Sequence, residues 1–155
     1  MEEHKKSGQR KARKAAGKSA APPAVTKEEL ELLSAFRHAL RRFLRFSEDA
    51  CRGEGISMLQ YQLLLHTQGV PGREWASIGE LAERLQAQAH GVVALVDRCE
   101  SSGLVQRRTN EQDKRLVEVH LTAAGRRVLA ILARTHRAEL HRFAEVADAA
   151  GKLPP

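Results

Sequence analysis

From Thr26 onward the apolar positions recur with helical spacing. Leu30, Leu33, Phe36, Leu40, Phe43 and Leu44 fall mostly three or four apart, the period that lines up side chains on one face of a helix. Thr26-Lys27-Glu28-Glu29 supplies the hydroxyl and carboxylate of a capping box. The helix is therefore expected to start there and run to about Cys51, stopping at Gly53 and Gly55. That is long for a chain of this size, and its apolar stripe predicts packing against another subunit. Ser57-Met58-Leu59-Gln60 is a second capping box, opening a helix to about Gln68 with Leu59, Leu63 and Leu64 available for the core. Gly69-Val70-Pro71-Gly72 breaks it. Ser77-Ile78-Gly79-Glu80 is a third box, starting a short helix through Leu85. A further helix is expected from about Gln88 to Ser101, with Val92, Leu95, Val96 and Cys99 inward and Gly103 as its C-cap.

The period then changes. Leu104 to Arg108 reads as a short strand, and Leu116 to Leu121 alternates, with Val117, Val119 and Leu121 on one face. The polar loop Thr109–Arg115 between them predicts a β-hairpin. Thr122-Ala123-Ala124-Gly125 caps a last helix whose stripe is Val128, Ile131, Leu132, Thr135, Leu140, Phe143 and Val146, ending near Ala149. The expected fold is mainly α with a small β-hairpin: four helices, the hairpin, and a long closing helix.

Composition changes the picture at the N-terminus. Residues 1–25 hold seven Lys/Arg against Glu2 and Glu3, and almost no large apolar side chain. Such a segment cannot offset its chain entropy, so 1–25 is expected to be a disordered basic tail, either an arm for DNA phosphates or a solubilising leader. Residues 151–155 are expected to be a flexible end. The whole chain carries +7, yet beyond residue 25 the balance is only 19 basic against 17 acidic side chains. A basic balance favours a polyanionic partner, but here it does not establish that the folded part binds one. The sequence offers no secretory h-region and no membrane-spanning run, so an intracellular protein without membrane contact is expected. Cys51 and Cys99 lie far apart without a Cys-x-x-Cys spacing, which gives no disulfide framework.

Two short helices joined by a tight turn, followed by a hairpin, is the layout of a winged helix-turn-helix. The second short helix must offer small and polar residues to the major groove. Gln86, Gln88, Ala89, His90, Gly91 and Ala94 supply them, and glutamine pairs with adenine edges through two hydrogen bonds. Arg107, Arg108, Lys114 and Arg115 concentrate on the hairpin, where cations meet phosphates.

Residues 57–127 resemble the MarR family of bacterial transcription regulators. The resemblance is carried by Ile78-Gly79-Glu80-Leu81-Ala82, Leu95-Val96-Asp97-Arg98, Gly103-Leu104-Val105-Gln106-Arg107, Asp113-Lys114-Arg115 and Leu121-Thr122-Ala123-Ala124-Gly125, in order and at matching spacing. It implies a domain over 26–150, with dimerisation helices at 26–51 and 122–149 and a DNA-binding part at 57–121. It implies a homodimer on double-stranded DNA at a pseudo-palindromic operator, acting as a cytoplasmic, nucleoid-associated repressor. It puts Arg115 at the wing tip in the minor groove and has Asp113 order the wing, through a nearby arginine. It admits release by a small aromatic effector, for which Phe43, Phe46, Met58, Tyr61, His66 and Trp75 are the candidate lining. The chain departs from the family pattern at Ala94, where a basic residue is common, at His90 and Gly91, and in ending soon after the last long helix.

Two alternatives stay open. Cys51 stands beside Arg52, which would lower its thiol pKa and suit an oxidation sensor, and the winged helix could serve protein contacts alone. Cys99 replaces a usual leucine and is expected in the core. His136 and His141 are five apart, a poor spacing for sharing a metal, so exposed or interface histidine is expected, with no metal and no cofactor. An enzyme is not expected: the chain shows no Gly-rich phosphate loop, no nucleophile elbow and no telling carboxylate pair.

Overall fold

A computed structural model describes residues 24–153. The basic tail falls almost wholly outside the described residues, as do Pro154 and Pro155 of the flexible end. The elements run α1 Lys27–Gly53, α2 Met58–Gln68, β1 Trp75–Ser77, α3 Ile78–Arg84, α4 Ala89–Ser101, β2 Val105–Thr109, β3 Val117–Leu121 and α5 Ala123–Ala150. The fold is mainly helical with one small antiparallel sheet.

Local chemistry explains the helix limits. The three capping boxes form as the sequence predicts, at Thr26/Glu29, Ser57/Gln60 and Ser77/Glu80, each with the reciprocal pair of bonds. Thr122 caps α5 by accepting from the Gly125 amide. Two helices end in the same way. After α1, Gly55 takes φ +73°, so that its N–H reaches Arg52 O and the Ile56 N–H reaches Cys51 O. After α4, Gly103 takes φ +69°, and Leu104 N–H returns to Cys99 O at 2.9 Å. This Schellman closure needs a left-handed residue, a conformation glycine adopts without steric cost.

The sheet holds one strand more than the expected hairpin. Trp75–Ser77 pairs antiparallel with β3, in the order β1-β3-β2. Trp75 therefore lies in a strand, not in an exposed loop. A three-residue strand leaves no periodic signal, and the segment was hidden between a Gly/Pro break and a helix cap. The core gathers Leu63 and Leu64 of α2, Leu81 of α3, Val92, Leu95, Val96 and Cys99 of α4, and Val105, Val119 and Leu121 of the sheet, joined by Leu129 and Leu132 of α5. Leu59, expected in the core, points out.

The two long helices pack side by side through Phe36, Phe43 and Phe143, with ring centroids 5.6–5.8 Å apart. The expected α1 stripe splits. Phe36, Leu40 and Phe43 are half-buried, whereas Leu30, Leu33 and Leu44 are exposed. On α5 the buried line is Gly125, Leu129, Leu132 and His136, while Ile131 and Leu140 of the expected stripe face solvent. His136 is a further correction: it is buried at 3% exposure, not a surface histidine. Among the described residues no helix is long and apolar enough to cross a membrane.

The start of α5 is the tightest point. A Cβ built on Gly125 would lie 2.0 Å from Leu104 O, a backbone atom. Gly125→Ala is expected to destabilise the fold by about 3 kcal/mol or more, since the neighbour cannot rotate away. Gly91, also helical, meets nothing within 4 Å, so Gly91→Ala is expected to stabilise by about 1 kcal/mol through helix propensity. Urea denaturation of the two variants checks the contrast.

Candidate nucleic-acid interface

Helix α4 turns Val92, Leu95, Val96 and Cys99 into the core, so its opposite face is left to solvent. That face carries Gln88, Ala89, His90, Gly91, Val93 and Ala94, all exposed. Gln88 is the N-cap, with extended backbone and no side-chain capping bond, so its amide group is uncommitted. Val93 was not among the expected surface residues. Its signal was available: with 92, 95, 96 and 99 inward, position 93 must face out. An exposed valine beside Ala94 suits contact with a thymine methyl.

Gln86 has a different position from the one expected. It occupies the α3–α4 turn at φ +50°, the one non-glycine residue with positive φ among those described. Its side-chain amide donates to Glu83 O at 2.6 Å, closing the end of α3. That bond shapes the turn and draws the amide away from the α4 surface.

The hairpin cations divide likewise. Arg107 donates to Glu100 at 2.5 Å, to Asp97 at 2.6 Å and to Val93 O at 3.3 Å. The Glu100 carboxylate also accepts the Arg107 backbone N–H at 2.9 Å. Partial burial opposes the charge, but the two carboxylates outweigh it and hold the guanidinium above its ordinary pKa. Arg107 thus clamps β2 to α4 and is not a loose cation at the surface. By contrast, Arg108, Lys114 and Arg115 are exposed and have no ion-pair partner among the described residues.

The wing loop is ordered by two side chains. Asp113 accepts the Arg115 backbone N–H at 3.0 Å, an Asx turn, instead of pairing with an arginine side chain. Asn110 was missed by sequence reasoning. Its carbonyl oxygen accepts from the amides of Gln112 and Asp113 at 2.9 and 2.8 Å, and its NH₂ donates to Glu118 at 2.5 Å. Glu118 also meets His120 Nε2 at 2.7 Å. The His120 and Asn110 bonds hold its carboxyl below the usual carboxylate range.

The six expected effector residues do not form one cleft. Phe43, Phe46 and Tyr61 surround His136, with Met58 beside them. His66 lies apart on α2, its pKa lowered by burial and then by Arg84. Trp75 stacks under Arg73, whose guanidinium carbon is 3.9 Å from the ring centroid and which pairs with Glu80. Trp75 lines a hollow of about 360 Å³ under the wing with Arg108, Asn110 and Glu118. A separate cleft of about 280 Å³ lies between α1 and α5, lined by His38, Arg42, Phe43, Arg142 and Phe143.

Neither thiol is set up for oxidation. Arg52 turns to Asp49 at 2.9 Å, and Cys51 is fully buried, with burial pushing its thiol pKa up against a smaller effect of Ser47. Cys99 is buried as expected, its thiol pushed up to about 11. Among the described residues no three His, Cys, Asp or Glu side chains cluster as a metal site.

Arg107→Ala is expected to cost about 1 kcal/mol, because both its ion pairs are partly solvated, while Arg108→Ala stays within about 0.5 kcal/mol; denaturant midpoints separate the two. Both cysteines are expected to react slowly with iodoacetamide in the native protein and quickly in urea. Fast native labelling at Cys51 would revive the oxidation-sensor reading.

Known proteins share this architecture. A family model described as the MarR family matches residues 54–116. Among solved structures, AbsC, a MarR family transcriptional regulator from Streptomyces coelicolor, is 21% identical with a TM-score of 0.66, covering 78% of this chain and 81% of its own. Apo MarR from E. coli is 20% identical with a TM-score of 0.60, covering 82% and 87%. The transcriptional regulator BldR from Sulfolobus solfataricus is 27% identical with a TM-score of 0.59, covering 78% and 86%. No curated protein matches the chain in sequence. The chain thus matches the MarR family model over residues 54–116 and shares the fold of solved MarR family regulators over about four fifths of its length.

Proposed function

We propose that the chain is a sequence-specific DNA-binding transcription regulator, acting as a homodimer and most simply as a repressor. The observation that carries this reading is the pairing of two surfaces. The outer face of α4 is small and polar, and the adjoining wing presents Arg108, Lys114 and Arg115 without partners among the described residues. In this reading Gln88, His90, Gly91, Val93 and Ala94 face base edges in the major groove, and Arg115 reaches the minor groove, where arginine suits the negative potential. Arg107 acts as the brace that fixes wing against helix. Lys114 and Arg108 neutralise phosphates.

Dimerisation through 26–51 and 122–149 is supported by Leu30, Leu33 and Leu44 of α1 and Leu140 of α5, which the single chain leaves exposed. Two copies would set two α4 helices on half-sites of a pseudo-palindrome. Such a protein works in the cytoplasm at the nucleoid. Release by an aromatic acid is supported by the α1–α5 cleft, which is lined by the aromatic rings of Phe43 and Phe143 and by the cations Arg42 and Arg142. Its volume suits a small ligand. An effector there must bind two wing spacings with different affinity to act at all.

A gel shift on the DNA upstream of the gene, at two salt concentrations, tests the proposal. Specific retention that weakens as salt rises is expected; equal binding to unrelated DNA would overturn it. Arg115→Ala is expected to weaken operator binding by about ten-fold or more, equivalent to about 1.4 kcal/mol or more, with an unchanged melting temperature. An unchanged operator affinity would remove Arg115 from the interface.

A further inference from the structure

At the junction of α1, α2 and α5, an imidazole nitrogen and a thioether sulfur meet around one hydroxyl. Ser47 Oγ lies 2.5 Å from His136 Nε2 and 3.1 Å from Met58 Sδ. Cys51 follows Ser47 by one helical turn on the same buried face, with its thiol within the influence of that hydroxyl. The walls are apolar. Tyr61 stacks on His136 with ring centroids 4.7 Å apart, and Phe46 and Phe43 meet it edge-on at 5.6 and 6.1 Å.

We propose that Cys51, Met58 and His136 form a binding site for Cu(I). The ligand set favours that ion, because thiolate and thioether sulfurs select soft monovalent copper. The imidazole is already oriented for it. His136 Nδ1 lies 2.7 Å from Leu132 O, an acceptor only, so Nδ1 carries the hydrogen and donates. In the neutral ring Nε2 then keeps its lone pair for a ligand. A ring nitrogen fixed by a backbone carbonyl is the usual support of a metal-binding histidine.

Charge balance points the same way. On binding, the Cys51 S–H bond breaks, its proton leaves to solvent, and the thiolate takes the metal. Cu(I) with one thiolate, a thioether and a neutral imidazole is a neutral group, so no net charge is buried. A divalent ion would leave a positive charge in an apolar, aromatic-walled site. Zinc also wants a fourth ligand, and it is not a thioether-seeking ion. Ser47 need only turn away: a helical serine can donate to the carbonyl four residues back, here that of Phe43. Metal and proton compete for Cys51, so affinity is expected to rise with pH.

The test is an anaerobic competition between the full-length protein and the chromogenic Cu(I) chelator bicinchoninate. The wild type is expected to withdraw one Cu(I) per chain, with an ultraviolet thiolate-to-copper absorption. Cys99→Ser is expected to behave as wild type, and Cys51→Ser to lose both the copper and the absorption. Met58→Leu conserves volume at a half-buried position, so it should fold normally, and it is expected to weaken binding by about ten-fold or more. Melting curves establish that each variant is folded. No withdrawal of copper by the wild type overturns the proposal. So does undiminished binding in folded Met58→Leu, binding that survives in folded Cys51→Ser, or Zn(II) held as tightly as Cu(I).

Discussion

The structure turns on one backbone position, Leu104. Its N–H closes the end of α4 on Cys99 O, and its carbonyl accepts both the N–H and the hydroxyl of Thr122 at 3.0 and 3.2 Å. Thr122 is also the N-cap of α5, and Gly125 of the same turn presses against that carbonyl. The backbone of one residue therefore joins the surface helix, the first wing strand and the long closing helix. Side-chain freedom cannot absorb a change there, because every partner is backbone or the first turn of a helix. The angle between α4 and the wing is tied to the direction of α5 at its root.

The Arg107 clamp adds the second fixed relation. It bonds the strand to Asp97 and Glu100 in the C-terminal half of the helix. This explains how the hairpin can still present positive charge although it carries Glu111, Asp113 and Glu118. Asp97 and Glu100 are occupied by Arg107, and Glu118 by Asn110 and His120. Arg108, Lys114 and Arg115 form no ion pair among the described residues.

Periodicity and capping chemistry made most of the fold legible. All three capping boxes and the two left-handed glycines that end helices, Gly55 and Gly103, follow from local residue types, and local bonds of this kind do not depend on the rest of the chain. What escaped depends on tertiary contact. β1 is too short to carry a period. The side of α1 that faces α5 could not be chosen from its own sequence, because leucines and phenylalanines ring more than one face. Arg107 and Arg108 are adjacent and identical in type, and only the positions of Asp97 and Glu100 in space distinguish brace from free cation. Asn110 looked like an ordinary loop residue, although its three bonds set the path of the wing.

His136 shows the same limit more sharply. By residue type it belongs on the surface, and its distance from His141 argues only against a shared metal. Yet its position continues the Gly125, Leu129, Leu132 spacing, so helical phase alone places it inward. A buried imidazole must satisfy both ring nitrogens, and it does so with one bond along its own helix and one across to α1. The tie between the two long helices is thus polar at its centre and aromatic around it, where an aliphatic pair would have packed with less constraint. A leucine there would fix only distance, whereas the imidazole fixes the rotation of α5 relative to α1. That rotation is what carries the orientation set at Leu104 along the length of the closing helix.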